Sequence, residues 1–401
     1  MQNQKALKKN ENSKNILYFL LALYMIYSTD SLVVALGVNR AIEYGSYAIL
    51  GACAVIFLGL MLLRNNMHIS LNLFVCVVCV ALSSLVNFDS SLIGWIKISS
   101  LIVGCYIATQ TDQKKFIKAF VYLMALIAAV SLVLYFFRDF FVGLGMFPVM
   151  KGYKDQEFVN FFLTNVRINS LSVFRNWGPF WEPGAYQIYL ITSLTFLMFE
   201  EIDFKHKNLL ILIFLVTLGT VMSTTGFFAI PFLLLAFIFD TSTNKKALFL
   251  KTIVVILATG FAVWFFSSEY FDITFTDKLD MGADLDRFAT IRYGLQLFLK
   301  KPIFGYSSAY TAQFHEMAGT SFSITNTFIG NLVVYGLIVG LLSVALLYAF
   351  VRGYRKSVLV TVLIFMALLI SFSGENVLYC PMFSFLMFYR AYPRENHRYA
   401  V

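Results

Sequence analysis

The chain has 401 residues, 59% hydrophobic and only 13% charged, with a formal net charge of +9. A soluble domain carries about 25% charged residues because its surface must face water, so this composition excludes a soluble globular protein. The apolar residues fall in blocks near the roughly 20 residues that cross a bilayer as a helix, without the period-2 alternation of a membrane barrel.

Lys5, Lys8, Lys9 and Lys14 precede the first apolar run. A signal peptide could begin this way, but the run is long and further spans follow at once, which favours a retained first helix. Spans are expected at 16–36, 44–63, 69–85, 92–109 and 116–137. Cys76-Val77-Val78-Cys79 lies in mid-span with no second half. All five cysteines sit in apolar blocks or at their ends, as small packing residues do. The four histidines are too scattered for a metal site, and none is expected. Lys97 stands near one end of its span, where snorkelling to the interface competes with a functional role.

A polar segment follows over 138–181, closing on Phe174-Arg175-Asn176-Trp177-Gly178-Pro179-Phe180-Trp181-Glu182-Pro183-Gly184-Ala185-Tyr186. Pro183 suits the first turn of a helix, where its missing N–H costs nothing. A helix start is an anion site, so Arg175 and this turn could form a phosphate corner. The competing reading is an interfacial anchor, with Trp177 and Trp181 in the aromatic belt and Glu182 capping the helix.

Spans resume at 183–199, 209–222, 225–239 and 248–266; the pair flanking Ser223-Thr224-Thr225-Gly226 is short enough to be tilted or broken. A second polar segment covers 267–322, with an amphipathic helix expected near 285–299. Arg287 and Arg292 on it are five residues apart and point about 140° apart, so they do not grip one phosphate side by side. One could bind substrate while the other serves structure, or the helix could simply face solvent and lipid headgroups. His315 lies in the same segment, either as a surface residue or as a proton acceptor near neutral pH. The last spans are 324–350, 358–372 and 376–389.

The expected fold is therefore one all-α polytopic membrane domain of about twelve transmembrane helices with two long polar segments on the same side. Arg64, the Lys114–Lys118 cluster, Lys205, Lys207, Lys245, Lys246, Arg352, Arg355, Lys356 and Arg390 fall in alternate loops and the tail, whereas 87–90 and 373–375 carry no Lys or Arg. By the positive-inside rule both termini are cytoplasmic and both polar segments face outward. The positive charge is thus topological, and no nucleic-acid partner is expected. Phosphate-loop, dinucleotide and zinc-protease motifs are missing from the sequence.

Four features, taken together, resemble the O-antigen polymerase and O-antigen ligase superfamily of bacterial envelope glycosyltransferases. They are Arg175 with Gly178-Pro179-Phe180-Trp181-Glu182-Pro183-Gly184; Ser223-Thr224-Thr225-Gly226; Arg287 followed by Lys301-Pro302-Ile303-Phe304-Gly305-Tyr306; and Thr325-Asn326-Thr327-Phe328 with Gly336 and Gly340. The resemblance implies a GT-C-like enzyme of the bacterial inner membrane with periplasmic chemistry and no cofactor. Donor and acceptor would be glycans on undecaprenyl diphosphate, with membrane lipid and a chain-length regulator as further partners. It assigns the diphosphate to Arg175 and Arg287, with Arg292 as rival, and Tyr186, Tyr306 and Asn326 to the rest of the substrate. The ligase branch has His just before the Asn; here Thr325 stands there. The base is then His315 or Glu182, or the step relies on positioning; the departure favours polymerisation of the repeat units, with ligation to lipid A–core or a lipid-linked glycan flippase as the alternatives.

Overall fold

The computed structural model describes residues 2–29, 31–35, 39–63, 71–151, 157–161, 163–168, 174–240, 287–318 and 324–390, with 256, 260 and 267 as single positions. The chain begins with α1 (Gln2–Tyr27), the one-turn α2 (Leu32–Ala35), α3 (Arg40–Leu63), α4 (Leu71–Val86), α5 (Ile93–Gln110), α6 (Gln113–Phe136) and the short α7 (Arg138–Gly143). After a small sheet come α8 (Pro183–Phe199), α9 (Lys207–Val221) and α10 (Thr224–Phe239). Then follow α11 (Arg287–Lys300), α12 (Tyr310–Ala318), α13 (Thr327–Tyr335), α14 (Leu337–Arg352), α15 (Val358–Phe372) and α16 (Pro381–Phe388). Among the described residues α3, α5 and α6 are long and apolar enough to cross a membrane; α4, α9, α10, α14 and α15 are apolar but shorter. These are the helices of a membrane protein.

Every residue of α8 is buried. A helix that is apolar all round offers no face to the surroundings and goes to the centre of its bundle. α6, α9, α10 and α15 pack around it. Lipid tails are as apolar as leucine, so packing and interhelical hydrogen bonds hold such a bundle. Gln187 of α8 donates to the Ser371 carbonyl at 2.9 Å, and the Ser371 hydroxyl donates back to Gln187 Oε1 at 3.2 Å.

The structure corrects the all-α expectation. Three short strands, β1 (Val149–Lys151), β2 (Glu157–Asn160) and β3 (Asn165–Arg167), form an antiparallel sheet inside the first polar segment. Neighbours on a strand face opposite sides, and both sides here are covered. Val159 and Val166 pack with Leu134 and Phe161, while Phe158 packs with Leu32 and Trp177. Strands of three or four residues give too few alternations to stand out in a sequence.

The expected spans are not all whole helices. The stretch 324–350 divides at Gly336, whose φ is +83°. The released groups are satisfied from outside the helix: the Leu337 N–H donates to the Pro302 carbonyl at 2.8 Å, the Tyr306 N–H to Val333 at 2.9 Å, and the Ser83 hydroxyl to Val334 at 2.9 Å. The stretch 376–389 is helical only from Pro381. Before it, Lys97 Nζ donates to the Leu378 carbonyl at 2.7 Å, the Ser100 hydroxyl to Tyr379, and the Val377 N–H to Thr327 Oγ1 at 3.1 Å. Lys97 therefore does not snorkel. It is 1% exposed, with Nζ 5.7 Å from the Phe383 ring. A third break, at Met222 with φ 50°, separates α9 from α10. The expected span 248–266 lies outside the described residues, apart from two single positions.

Contacts between loops sort them into two ends. At one, Glu200 meets Arg390 at 2.6 Å and Tyr389 at 3.1 Å, Asp240 meets Lys356 at 3.0 Å, and Gln113 reaches the Tyr389 carbonyl at 3.0 Å. At the other, Leu32 meets Pro179, Asp89 meets Ser307 and Ser308, and Thr327 meets Glu375. The first set draws on loops that carry Lys and Arg, and the second includes described residues of the two polar segments.

Any Cβ at residue 336 would overlap the Ile303 carbonyl. Gly336→Ala should therefore lower the stability of detergent-solubilised protein by about 1–3 kcal/mol, the cost of a strained backbone position. An unchanged unfolding midpoint would show that the break tolerates a side chain.

Candidate functional site

A cleft of about 300 Å³ is lined in part by the irregular stretch before α16, while the breaks at Gly336 and Met222 do not themselves line it. Its walls come from five places: Thr29, Ala35 and Tyr47; Ile93 and Ile96 at the start of α5; Trp181; Tyr310; and the pair of segments holding Ile324, Thr325, Glu375, Asn376 and Tyr379. Small-molecule sites begin at about this size, with apolar walls and a few placed polar groups.

Local bonding fixes these walls. The 174–182 loop docks on the α9–α10 break: the Asn176 N–H donates to the Thr220 carbonyl at 2.9 Å, and its Nδ2 to Ser131 Oγ at 3.0 Å and Thr220 Oγ1 at 3.1 Å. Its far side reaches the 31–32 turn, where the Leu32 N–H donates to the Pro179 carbonyl at 2.8 Å. The 373–377 turn lies over the start of α8. The Glu375 carbonyl accepts from Thr327 Oγ1 at 2.6 Å, and a Cβ on Gly184 would fall 2.5 Å from Glu375 Oε1. Only glycine allows this carboxylate so close to the first turn of α8. Glu375 is 7% exposed and is the one charged residue among the described residues lining the cleft.

Tyr310 is held by a clasp. Asp89 Oδ2 accepts from Ser307 Oγ at 2.6 Å and the Ser308 N–H at 3.0 Å; its Oδ1 accepts from Ser308 Oγ at 2.6 Å and the Ser91 N–H at 2.8 Å. Lys301 Nζ donates to Asn87 Oδ1 at 3.0 Å beside it. Partial burial works against the Asp89 charge, but the Ser307, Ser308 and Ser91 donors outweigh it and hold the carboxyl well below the usual carboxylate range. Burial raises the Tyr310 phenol, which stays a protonated donor at neutral pH.

The sequence candidates divide around this cleft. Trp181 lines it, which puts the adjoining Glu182 at its edge. Glu182 holds the N-cap position of α8, but its side chain makes no cap bond, against the capping reading. Trp177 does not join an aromatic belt: it is buried edge-to-face against Phe158, with the Arg167 guanidinium 5.7 Å from its ring. Asn326 sits beside the lining Thr325, and its Oδ1 caps α13 by accepting from the Phe328 and Ile329 N–H groups at 2.9 and 3.0 Å. Tyr186 is fully buried away from the walls, its hydroxyl 3.0 Å from Ser131 Oγ. Tyr306 is buried under Lys301, whose Nζ lies 4.8 Å from its ring. Arg175 is half-buried on the loop that leads to Trp181 and does not line the cleft. Arg292 points to the exposed side of α11. Arg287 opens α11, and its side chain lies outside the described residues. His315 is on α12, with Nε2 buried and without a hydrogen-bond partner among the described residues.

Glu375 was not among the sequence candidates. Its signal was a lone carboxylate in Ser373-Gly374-Glu375-Asn376, a loop noted only for having no Lys or Arg.

Residues 209–338 match the model of a family described as O-Antigen ligase. The match supports the O-antigen ligase and polymerase superfamily, and it takes in the Ser223–Gly226, Arg287–Tyr306 and Thr325–Phe328 motifs together with Gly336. No curated protein and no solved structure matches the chain.

Asp89→Ala should loosen the Tyr310 wall and lower stability by about 1 kcal/mol, discounted because the carboxylate is partly open to solvent. A depressed carboxyl contributes fully above its unfolded value and loses that contribution only as pH falls through the folded one. The stability gap between wild type and variant should therefore be flat from about pH 8 to pH 5 and narrow only under strongly acid conditions. A gap that widens on mild acidification would contradict the clasp.

Proposed function

We propose that this chain is a GT-C-like membrane glycosyltransferase that polymerises undecaprenyl-diphosphate-linked oligosaccharide repeat units into an O-antigen- or capsular-type polysaccharide. The reading places it in the bacterial inner membrane with both termini cytoplasmic and the cleft periplasmic. The observation that carries it is that the stretch matching the O-Antigen ligase family builds part of the cleft, through Tyr310 and Thr325. The cleft also opens at the end opposite the Lys and Arg loops, as the positive-inside rule asks of a periplasmic site.

A lipid diphosphate is already a good leaving group. The enzyme needs to hold the donor, neutralise charge as the bond to the anomeric carbon breaks, and orient the acceptor hydroxyl. Planar guanidinium groups suit the diphosphate. Arg175 and Arg287 are assigned that role, with Arg292 as the rival for the second position and no metal in the reaction. His315 and Glu182 are candidate bases; Tyr186, Tyr306 and Asn326 are assigned to the rest of the substrate. Thr325, where the ligase branch has His, favours polymerisation. A second reading, ligation of the glycan to lipid A–core, is favoured by the match to the O-Antigen ligase family. A chain-length regulator is a partner under the first reading.

Deleting the gene separates the two: loss of a polymerase leaves single repeat units on the surface glycolipid, and loss of a ligase leaves none. Arg175→Ala and Arg287→Ala should each abolish elongation without loss of protein, read as the collapse of the glycan ladder on a gel. A normal ladder from either variant removes that arginine from the site.

A further inference from the structure

We propose that the surface formed by the end of α6, by α7 and by the turn before β1 is seated in the lipid leaflet at the cleft end, so that α7 lies along the membrane boundary rather than in water. The inference goes beyond the glycan-transfer reading and does not depend on it.

The apolar side of the span runs on past its end. α6 is long and apolar enough to cross a membrane, and its exposed Leu126 and Val133 mark a side that meets lipid. Phe137, Phe140 and Leu144 continue that side; at about 100° per residue all five fall within about 60° of one another. The register carries across the junction, because the Phe137 N–H donates to the Val133 carbonyl at 3.0 Å and the Phe141 N–H to the Phe137 carbonyl at 3.2 Å. Phe137 and Phe140 are 61% and 65% exposed, and Met146 just beyond α7 is 75% exposed. The adjoining face is already used: Phe141 and Val142 pack with Leu134, Val159 and Val166. α7 is thus apolar on two sides, and the sheet covers only one. Large apolar side chains exposed in a contiguous row mark a surface that something else covers.

Depth and continuity point to lipid as the cover. The 24 residues of α6 measure about 36 Å, a little more than the roughly 30 Å of a hydrocarbon core. Gln113 fixes the start of α6 at the Lys and Arg end, where it reaches the Tyr389 carbonyl. Phe137 therefore emerges at the opposite hydrocarbon boundary, at the cleft end, and α7 follows at headgroup level. Apolar side chains at that level sink about 5–10 Å into the boundary. A partner chain would meet α7 alone, whereas lipid already meets the same side of α6. The fully exposed Asp139 lies about 100° round from Phe140, clear of the apolar side. The junction also holds a loop. The Arg138 guanidinium lies 4.4 Å from the Phe174 ring, and Tyr135 stacks on that ring at 5.0 Å. Phe174 opens the loop that carries Arg175 and Trp181, so a seat in the leaflet fixes the height of that loop at the membrane surface.

The test reconstitutes the full chain into vesicles of phosphatidylethanolamine and phosphatidylglycerol and needs no glycan substrate. Phe140→Cys and Leu144→Cys, each carrying a nitroxide, are compared with Lys205→Cys on an exposed loop at the Lys and Arg end, with the similarly treated native chain subtracted as the blank. Collisions with oxygen, which concentrates in lipid, should exceed those with a water-soluble nickel chelate at 140 and 144, and the order should reverse at 205. Should Phe140→Cys fail to fold, Met146→Cys takes its place at a still more exposed side chain. A nickel chelate that reaches either label more often than oxygen puts α7 in water and overturns the proposal. A label shielded from both reagents overturns it too, and points to a second copy of the chain or another protein on this face. Absence of glycan elongation would count against the proposed function alone, since depth is read without it.

Discussion

Backbone groups freed by a broken helix must find partners within the protein, because a lipid surround offers none. Much of this structure at the cleft end is an answer to that constraint. The break at Gly336 is closed by Ser83, Tyr306 and Pro302. The irregular stretch before α16 is closed by Lys97, Ser100 and Thr327. The Thr220 carbonyl, just before the α9–α10 break, accepts from Asn176. Each repair ties a loop to a helix distant in sequence, so the loops around the cleft are fixed by the same bonds that make the breaks tolerable. A buried lysine, otherwise expensive, is explained in this way: its ammonium is a donor where a carbonyl would have none.

The same end shows a division of charge. The cleft holds a carboxylate and aromatic rings, while Arg175 stands on the loop beside it rather than on its walls. The central helix α8 links them. Its first turn carries Gly184 under Glu375, and the loop that leads into it carries Trp181 and Arg175. A displacement of α8 would move all of these together.

Much of the helical frame was legible because burial on all sides leaves a plain apolar run. Pro183 marked the start of α8, and 358–372 is a helix from end to end. The break at Gly336 was hidden because the run 324–350 stays apolar across it; what breaks the helix is the approach of Pro302 and Ile303 from another segment. The role of Lys97 was hidden for a similar reason, its acceptor lying 281 residues away. Arg175 and the start of α8 were read as a possible anion corner and Trp181 as part of an aromatic belt; Trp181 lines the cleft and Arg175 does not, a separation that no local pattern announced. Glu375 was passed over because a single acidic residue between apolar runs has no local pattern to recommend it. Its significance comes from Gly184, which is distant in sequence.

The cleft is built jointly by parts of the chain that differ in their likeness to known proteins. Tyr310, Ile324 and Thr325 belong to the stretch 209–338 that matches a family, whereas Trp181, Glu375, Asn376, Tyr379 and the walls from α3 and α5 lie outside it. The matching stretch also holds the Gly336 break and the clasp serines, the devices that position the walls. The residues beyond it supply the carboxylate and the indole, the groups with the most distinctive recognition chemistry. A scaffold held by backbone bonds can keep its geometry while the side chains facing the cavity change. Under the proposed function, the family-matching region would govern where a glycan is held, and the flanking helices which glycan it is.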